Sequence, residues 1–363
     1  TTITQVYCGY ITDIKSMSKS KDIFLNCSEF HNENNSTVVS LTDNSINIEK
    51  LHHVYTLLKT IIRKKTLPFK ILLNNSNYKQ THHAIDVLDV MRLLDQIPDT
   101  FLQFRKLHPL ITCFQQVRKQ YDFYCRVYNG VMINSDTTNT AVMLNNLVTE
   151  YRDEVSKSAF RQDLRKYQRN SIKNLKGVTN YIQHLFNQHA RLLVIRLDLS
   201  WAKIHSGSIT PEIAKQQRQQ LLRNMKRKRL FKNVLGMVWK LEYGPDRGFH
   251  YHTLFFLDGN KARQDIRICK QFGEYWTSVI TEGKGTYFNC NAQPERYVKP
   301  GTGMVKHDDI DKQEGLQRAV GYLTKIDTFA RLALPGNMRT FGRGEVKALN
   351  KTGRPGRKRT QPS

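Results

Sequence analysis

Lys240-Leu-Glu-Tyr-Gly-Pro-Asp-Arg-Gly-Phe-His-Tyr-His-Thr-Leu-Phe-Phe-Leu257 reads as two strands joined by a turn. Gly244 to Gly248 is dense in turn formers, and the flanks are apolar, aromatic and β-branched. Side chains alternate along a strand, so His250 and His252 share one face while Tyr251 and Thr253 share the other. On the preceding strand Val238, Lys240 and Glu242 share a face. An antiparallel hairpin therefore brings the Glu242 carboxylate beside the imidazole pair. Two imidazoles and a carboxylate on a rigid sheet make a three-ligand divalent-metal site with positions open to substrate oxygens. The alternative is a pair of structural histidines with a carboxylate nearby by chance.

Two further stretches bear on the choice. Gln313 to Lys325 has the apolar spacing of a short helix, and Tyr322 and Lys325 stand three apart on one helical face. A phenol near a divalent ion and an ammonium is a candidate nucleophile, with the cation steadying developing charge. The plainer alternative packs Tyr322 in the core and leaves Lys325 solvated. Arg191 to Ser200 is an apolar run with polar residues at alternate positions, and predicts a buried strand.

Strand, helix, Glu strand, His-aromatic-His strand, helix, loop and Tyr-x-x-Lys helix follow one another in that order. This order resembles the HUH endonuclease superfamily over roughly residues 190 to 345. Within it the chain is similar to rolling-circle replication initiators of the filamentous-phage (inovirus) and phage-satellite type. Glu242, Arg247-Gly248, Phe249-His250-Tyr251-His252 and Phe341-Gly342-Arg343-Gly344 carry that likeness. Some initiators have two tyrosines on the catalytic helix; here the position four before Tyr322 is Arg318 and the position four after it is Ile326. The resemblance is thus to a single-tyrosine enzyme.

The fold class expected is α+β. An antiparallel, about five-stranded palm, with the hairpin near its centre, would be covered mainly by helices on one face, leaving the metal face to single-stranded DNA. The expected units are a mostly helical accessory domain over 1–140, a helical connector over 141–190, the catalytic domain over 191–345 and a flexible basic tail over 346–363. The resemblance implies that Glu242, His250 and His252 hold Mg²⁺ or Mn²⁺. Imidazoles also suit zinc, yet open sites serving phosphate chemistry favour the harder ions. It further implies that Tyr322 attacks phosphorus, leaving a 5′-phosphotyrosine and a 3′-hydroxyl, with Lys325 beside it. The implied partners are single-stranded DNA at a replication-origin hairpin and host replication proteins. An HUH transposase or relaxase, or a DNA-binding regulator without catalysis, are the alternatives.

The 363 residues carry a net charge of +26. Residues 1–150 hold 16 lysines and arginines against 13 acids, and the remainder holds 41 against 18. The basic part is the part with the motifs, and such a field favours nucleic acid before membrane. Arg196, Lys240 and Arg247 are candidate DNA-backbone contacts. So is Lys226-Arg-Lys-Arg229, where cations exceed what a helix C-terminus needs. Asp198 either orients a histidine on a neighbouring strand or is structural.

Six cysteines show no CxxC pairing, which predicts reduced thiols. No apolar run reaches the ~18–20 residues of a spanning helix, so a soluble protein in the cytoplasm of a prokaryotic host is expected. Helices are predicted near 47–65, 83–96 and 110–128, with two long ones over 140–190. A further helix starts at Thr210-Pro211-Glu212. Another covers 261–280, with 283–310 as a long loop.

Overall fold

The computed structural model of the chain describes residues 28–33, 36–41, 43–72, 78–121, 127–128, 131–132, 137–244, 247–297, 299–325 and 329–345. The basic tail over 346–363, the start of the chain over 1–27, Ile326 and the aromatic run over 122–126 lie outside the described residues, as does the side chain of Lys325.

The fold is α+β, with a mostly helical N-terminal region and a large antiparallel sheet. Four helices build the N-terminal core: α1 (Asp43–Arg63), α2 (His82–Asp95), α3 (Pro109–Arg118) and α4 (Thr137–Ser156). Leu51, Val54, Leu58 and Ile61 recur at helical spacing on α1 and are fully buried. On α2 the buried stripe is Ala84, Val87, Met91 and Leu94. Ile85 is exposed, because a 3.6-residue period starting at Ala84 turns it away from α1. Among the described residues no helix is long and apolar enough to cross a membrane.

The 31-residue helix α5 (Ser158–Gln188) serves both halves. Tyr167 near its start packs edge-on against His108, while Val178, Tyr181, Ile182, Leu185 and Phe186 near its end pack on the sheet. The sheet has six strands: β1 (Arg191–Trp201), β2 (Val234–Gly244), β3 (Gly248–Asp258), β4 (Gly285–Asn289), β5 (Gly303–Lys306) and β6 (Phe341–Arg343). Their order is β4-β1-β3-β2-β6, all antiparallel, with β5 pairing further along the outer edge of β1. The hairpin strand β3 is central, and β4 and β5 share one edge. The segment expected as a long loop over 283–310 therefore contains two edge strands. Their shortness hides the period-2 pattern that would reveal them.

Both faces of the sheet carry helices, not one as expected. On one face Leu197, Leu199, Leu241, Tyr251 and Phe255 pack with residues of α6 (Pro211–Met225) and α7 (Asp265–Tyr275). Thr210 accepts from the Ile213 amide at the start of α6, with Pro211 in the first turn. On the other face α5 and α8 (Ile310–Lys325) cover Val194, Val238, Leu254 and Phe256. The reason is local. Strand positions in step with His250 and His252 become apolar away from the turn, and that half of the face must be buried too.

Two glycines set the approach of α8. An added Cβ at Gly301 would stand 2.0 Å from the Leu316 amide nitrogen, and one at Gly315 would stand 2.7 Å from the Lys299 carbonyl oxygen. Asp309 accepts from the Lys312 amide and begins the helix. Its buried residues Leu316, Val320 and Leu323 lie on the sheet-facing side.

The segment after α8 returns to the N-terminal region. Ala330–Leu332 pairs antiparallel with Arg105–Leu107, and Phe329 and Ala330 belong to the N-terminal core. Arg105 also donates to the Tyr243 carbonyl at the end of β2, and Phe104 packs on Tyr243 and Phe249. The N-terminal region is thus in contact with the turn end of the hairpin.

Candidate metal centre

The register of three adjacent strands assembles the site. His250 on β3 stands opposite Glu242 on β2 and Ser200 on β1; His252 stands opposite Lys240 and Asp198. All are on one face, as alternation requires. Gly248 opens β3 with φ 65°, a left-handed conformation that disfavours a side chain. Its carbonyl accepts from His250 Nδ1 at 3.2 Å, which leaves His250 Nε2 unprotonated and facing the cluster in the neutral ring.

Glu242 Oε2 lies 3.9 Å from His250 Nε2 and 3.5 Å from His252 Nε2. One ligand atom from each of the three residues falls within 4.8 Å of the others. Two ligands each ~2.1 Å from one ion are separated by roughly 3.0–4.2 Å for angles between a right and a straight angle, so these gaps fit a shared cation. Glu242 Oε1 is buried and has no hydrogen-bond donor among the described residues. An orphaned carboxylate oxygen is costly unless a cation completes it. The donor set and the orphan together fit a divalent ion held by Glu242, His250 and His252.

Electrostatics agree with that geometry. Burial opposes the Glu242 charge, but the adjacent His252 and His250 hold the carboxyl well below its usual range. Burial likewise opposes charge on His252. The Asp198 and Glu242 carboxylates beside it overcome that cost and raise it. His250 is pushed down by burial and by the neighbouring charge of His252. Asp198 Oδ1 lies 2.9 Å from His252 Nδ1, the nitrogen away from Glu242. Asp198 therefore occupies the position from which a carboxylate orients a ligating imidazole.

Tyr322 comes from α8 over the seam between β1 and β3. Its ring centroid is 5.9 Å from that of His252, and the ring is buried. Arg196, two residues before Asp198 on β1, places its guanidinium carbon 5.5 Å from the Tyr322 ring and 5.0 Å from that of Tyr297. Lys240 is buried on the same face beside His252.

The other sequence-predicted residues fall elsewhere. Arg247 is exposed at the hairpin tip. Lys226, Arg227, Lys228 and Arg229 are exposed where α6 ends, on the opposite face of the sheet and before β2 begins. Glu242 is eight residue steps along the strand from the start of β2 at Val234, on the order of 26 Å. The structure does not bring that basic run to the site. Tyr297 was not singled out from the sequence. It lies just after a 3₁₀ turn over Pro294–Arg296, in a stretch without periodicity, and only the return of the chain places it at Arg196.

Residues 155–344, just over half of the chain, match the YagK/YfjJ C-terminal domain family, and the chain belongs to that family. The match takes in α5, the whole sheet and α8, and so every residue of the candidate metal centre. No curated protein and no solved structure matches the chain.

Proposed function

We propose that the chain is a metal-dependent enzyme that nicks and rejoins single-stranded DNA through Tyr322, working as a replication initiator of the HUH type. On this reading the sheet is an HUH palm. The observation that carries the proposal is the ring of Tyr322 lying against His252, on the face where Glu242, His250 and His252 converge. A phenol, a three-ligand cation site and a buried guanidinium within one patch suit attack on a phosphodiester.

Mg²⁺ or Mn²⁺, when bound by Glu242, His250 and His252, would supply charge stabilisation to a scissile phosphate. The Tyr322 oxygen forms the new bond to phosphorus as it loses its proton. The bond from phosphorus to the 3′ oxygen breaks, and that oxygen takes up a proton. The products are a 5′-phosphotyrosine and a free 3′-hydroxyl, which can prime a host polymerase. The covalent link keeps the ester's energy, so reversal rejoins strands without a nucleotide cofactor. Asp198 orients His252. Lys325 follows Tyr322 by about one helical turn and is proposed to steady charge at the nucleophile, its side chain lying outside the described residues. The net charge of +26 suits a polyanionic substrate.

The test is a denaturing gel of the full chain with Mn²⁺ and a pool of single-stranded oligonucleotides that includes origin-region sequences. A shifted protein band carrying covalent DNA, absent with EDTA and absent in Tyr322→Phe, is expected. Tight binding with no adduct across all substrates would replace this reading with that of a DNA-binding regulator.

A further inference from the structure

Arg196 is a cation with an incomplete set of partners. It is 95 % buried, at 5 % exposure, and its Nε has no hydrogen-bond partner among the described residues. The nearest carboxylate oxygen, Asp198 Oδ1, lies 3.9 Å from that Nε, beyond hydrogen-bond reach. The guanidinium carbon lies within cation–π range of two rings, Tyr297 at 5.0 Å and Tyr322 at 5.5 Å. The N–H fork of a guanidinium matches two oxygens of a phosphate.

The support beneath Arg196 is rigid. Its backbone amide donates to Asn291 Oδ1 at 2.8 Å, and Asn291 Nδ2 donates to the Val194 carbonyl and to Asp265. Asn291 belongs to a 3₁₀ turn that leads towards Tyr297. The cation and the turn that leads to its neighbour Tyr297 are therefore built on one frame.

We propose that Arg196, beside the rings of Tyr297 and Tyr322, is the phosphodiester-binding subsite of the candidate centre and binds one backbone phosphate of single-stranded nucleic acid without needing the metal. This rests on the functional reading above and extends it, because it names the group that holds the substrate phosphate before any chemistry. Arg196 acts here by direct contact with substrate, and Tyr297 is a positioning residue that acts through Arg196.

The experiment follows thermal unfolding of the full chain in EDTA with the dinucleoside monophosphate TpT, against chloride at matched ionic strength. Saturable stabilisation of roughly 3 °C or more is expected for the parent. Arg196→Gln loses it. Arg196→Lys, which keeps the charge but not the fork, weakens TpT at least tenfold, and Tyr297→Leu weakens it several-fold. Equal stabilisation in Arg196→Gln overturns the proposal, as does none in the parent. A response to inorganic phosphate without one to TpT assigns the site to free phosphate and overturns the phosphodiester. If Arg196→Gln does not fold, Arg196→Lys decides, and an unchanged TpT affinity there sinks the idea. The covalent-adduct gel fails or succeeds separately. TpT binding without an adduct keeps the subsite and removes the transferase, and an adduct without Arg196-dependent TpT binding does the reverse.

Discussion

His252 Nδ1 lies 2.9 Å from Asp198 Oδ1, and the opposite ring nitrogen lies 3.5 Å from Glu242 Oε2. One imidazole thus lies between two carboxylates, and Asp198 is placed to orient it. Asp198→Asn removes the charge and keeps the shape. Mn²⁺ affinity measured by isothermal titration calorimetry is expected to fall about 10–100-fold. An unchanged affinity would show that Asp198 is only structural.

Removing two ligands goes further. His250→Ala combined with His252→Ala is expected to abolish the rise in melting temperature that Mn²⁺ gives the parent. If the double variant responds to Mn²⁺ as the parent does, the cation binds elsewhere.

His108 makes the fold acid-sensitive within the N-terminal region. It is buried between the rings of Tyr55 and Tyr167, and its Nδ1 accepts from the Leu110 amide, a bond that a protonated ring cannot make. Burial, helped by Lys59, pushes it down to about 4. Its folded value is below the unfolded ~6.5, so the unfolded chain binds more protons between those limits. The stability contribution is whole above pH 6.5 and shrinks as pH falls towards 4, by about 2 kcal/mol at pH 5. Urea unfolding at pH 7 and pH 5 checks it. His108→Asn should lose correspondingly less stability between the two than the parent, and an equal loss would assign the sensitivity to other groups.

The packing of α8 on Lys299 to Gly301 is tight enough to test with one methyl group. Gly315→Ala places a Cβ against backbone at 2.7–2.8 Å. It is expected to cost about 1–3 kcal/mol in urea unfolding. It should also lower the yield of Tyr322 adduct while leaving Mn²⁺ affinity near the parent's, because the ligands are on strands. A neutral substitution would mean that α8 moves freely over the sheet.

Phe256 tests why the metal face is covered. It is fully buried under α5, with Tyr181 edge-on to it. Phe256→Ala is expected to destabilise the chain by about 3–5 kcal/mol. A loss below 1 kcal/mol would mean that α5 is not a tight cover.

Much of the centre was readable because it is local. Glu242, His250 and His252 lie within 11 residues on one hairpin, and alternation with a short turn dictates that they meet. The helices α5 and α6 were equally plain, from length and from the Thr210-Pro211-Glu212 start. The edge strands β4 and β5 were not, since five and four residues carry little pattern. Nor was the second cover of the sheet, although Leu254 and Phe256 were visible in the same quoted stretch. Their alternation with buried Tyr251 and Phe255 signals a strand buried on both faces.

The amino-acid sequence by itself determined the hairpin, its register, the triad and the helical faces, because each follows from periodicities of 2 and 3.6 acting over a few residues. Only the tertiary structure decided which of its other polar residues join that triad. Asp198 and Arg196 arrive through the pairing of β1 with β3, more than 50 residues apart in the chain. Tyr322 arrives because apolar packing and two glycines seat α8 over that seam, and Tyr297 because the chain turns back at Asn291. Lys226 to Arg229, the densest run of charge in the segment, is held on the far face by the same packing. Long-range neighbours are set by which apolar surfaces must be buried together, and no local spacing records that.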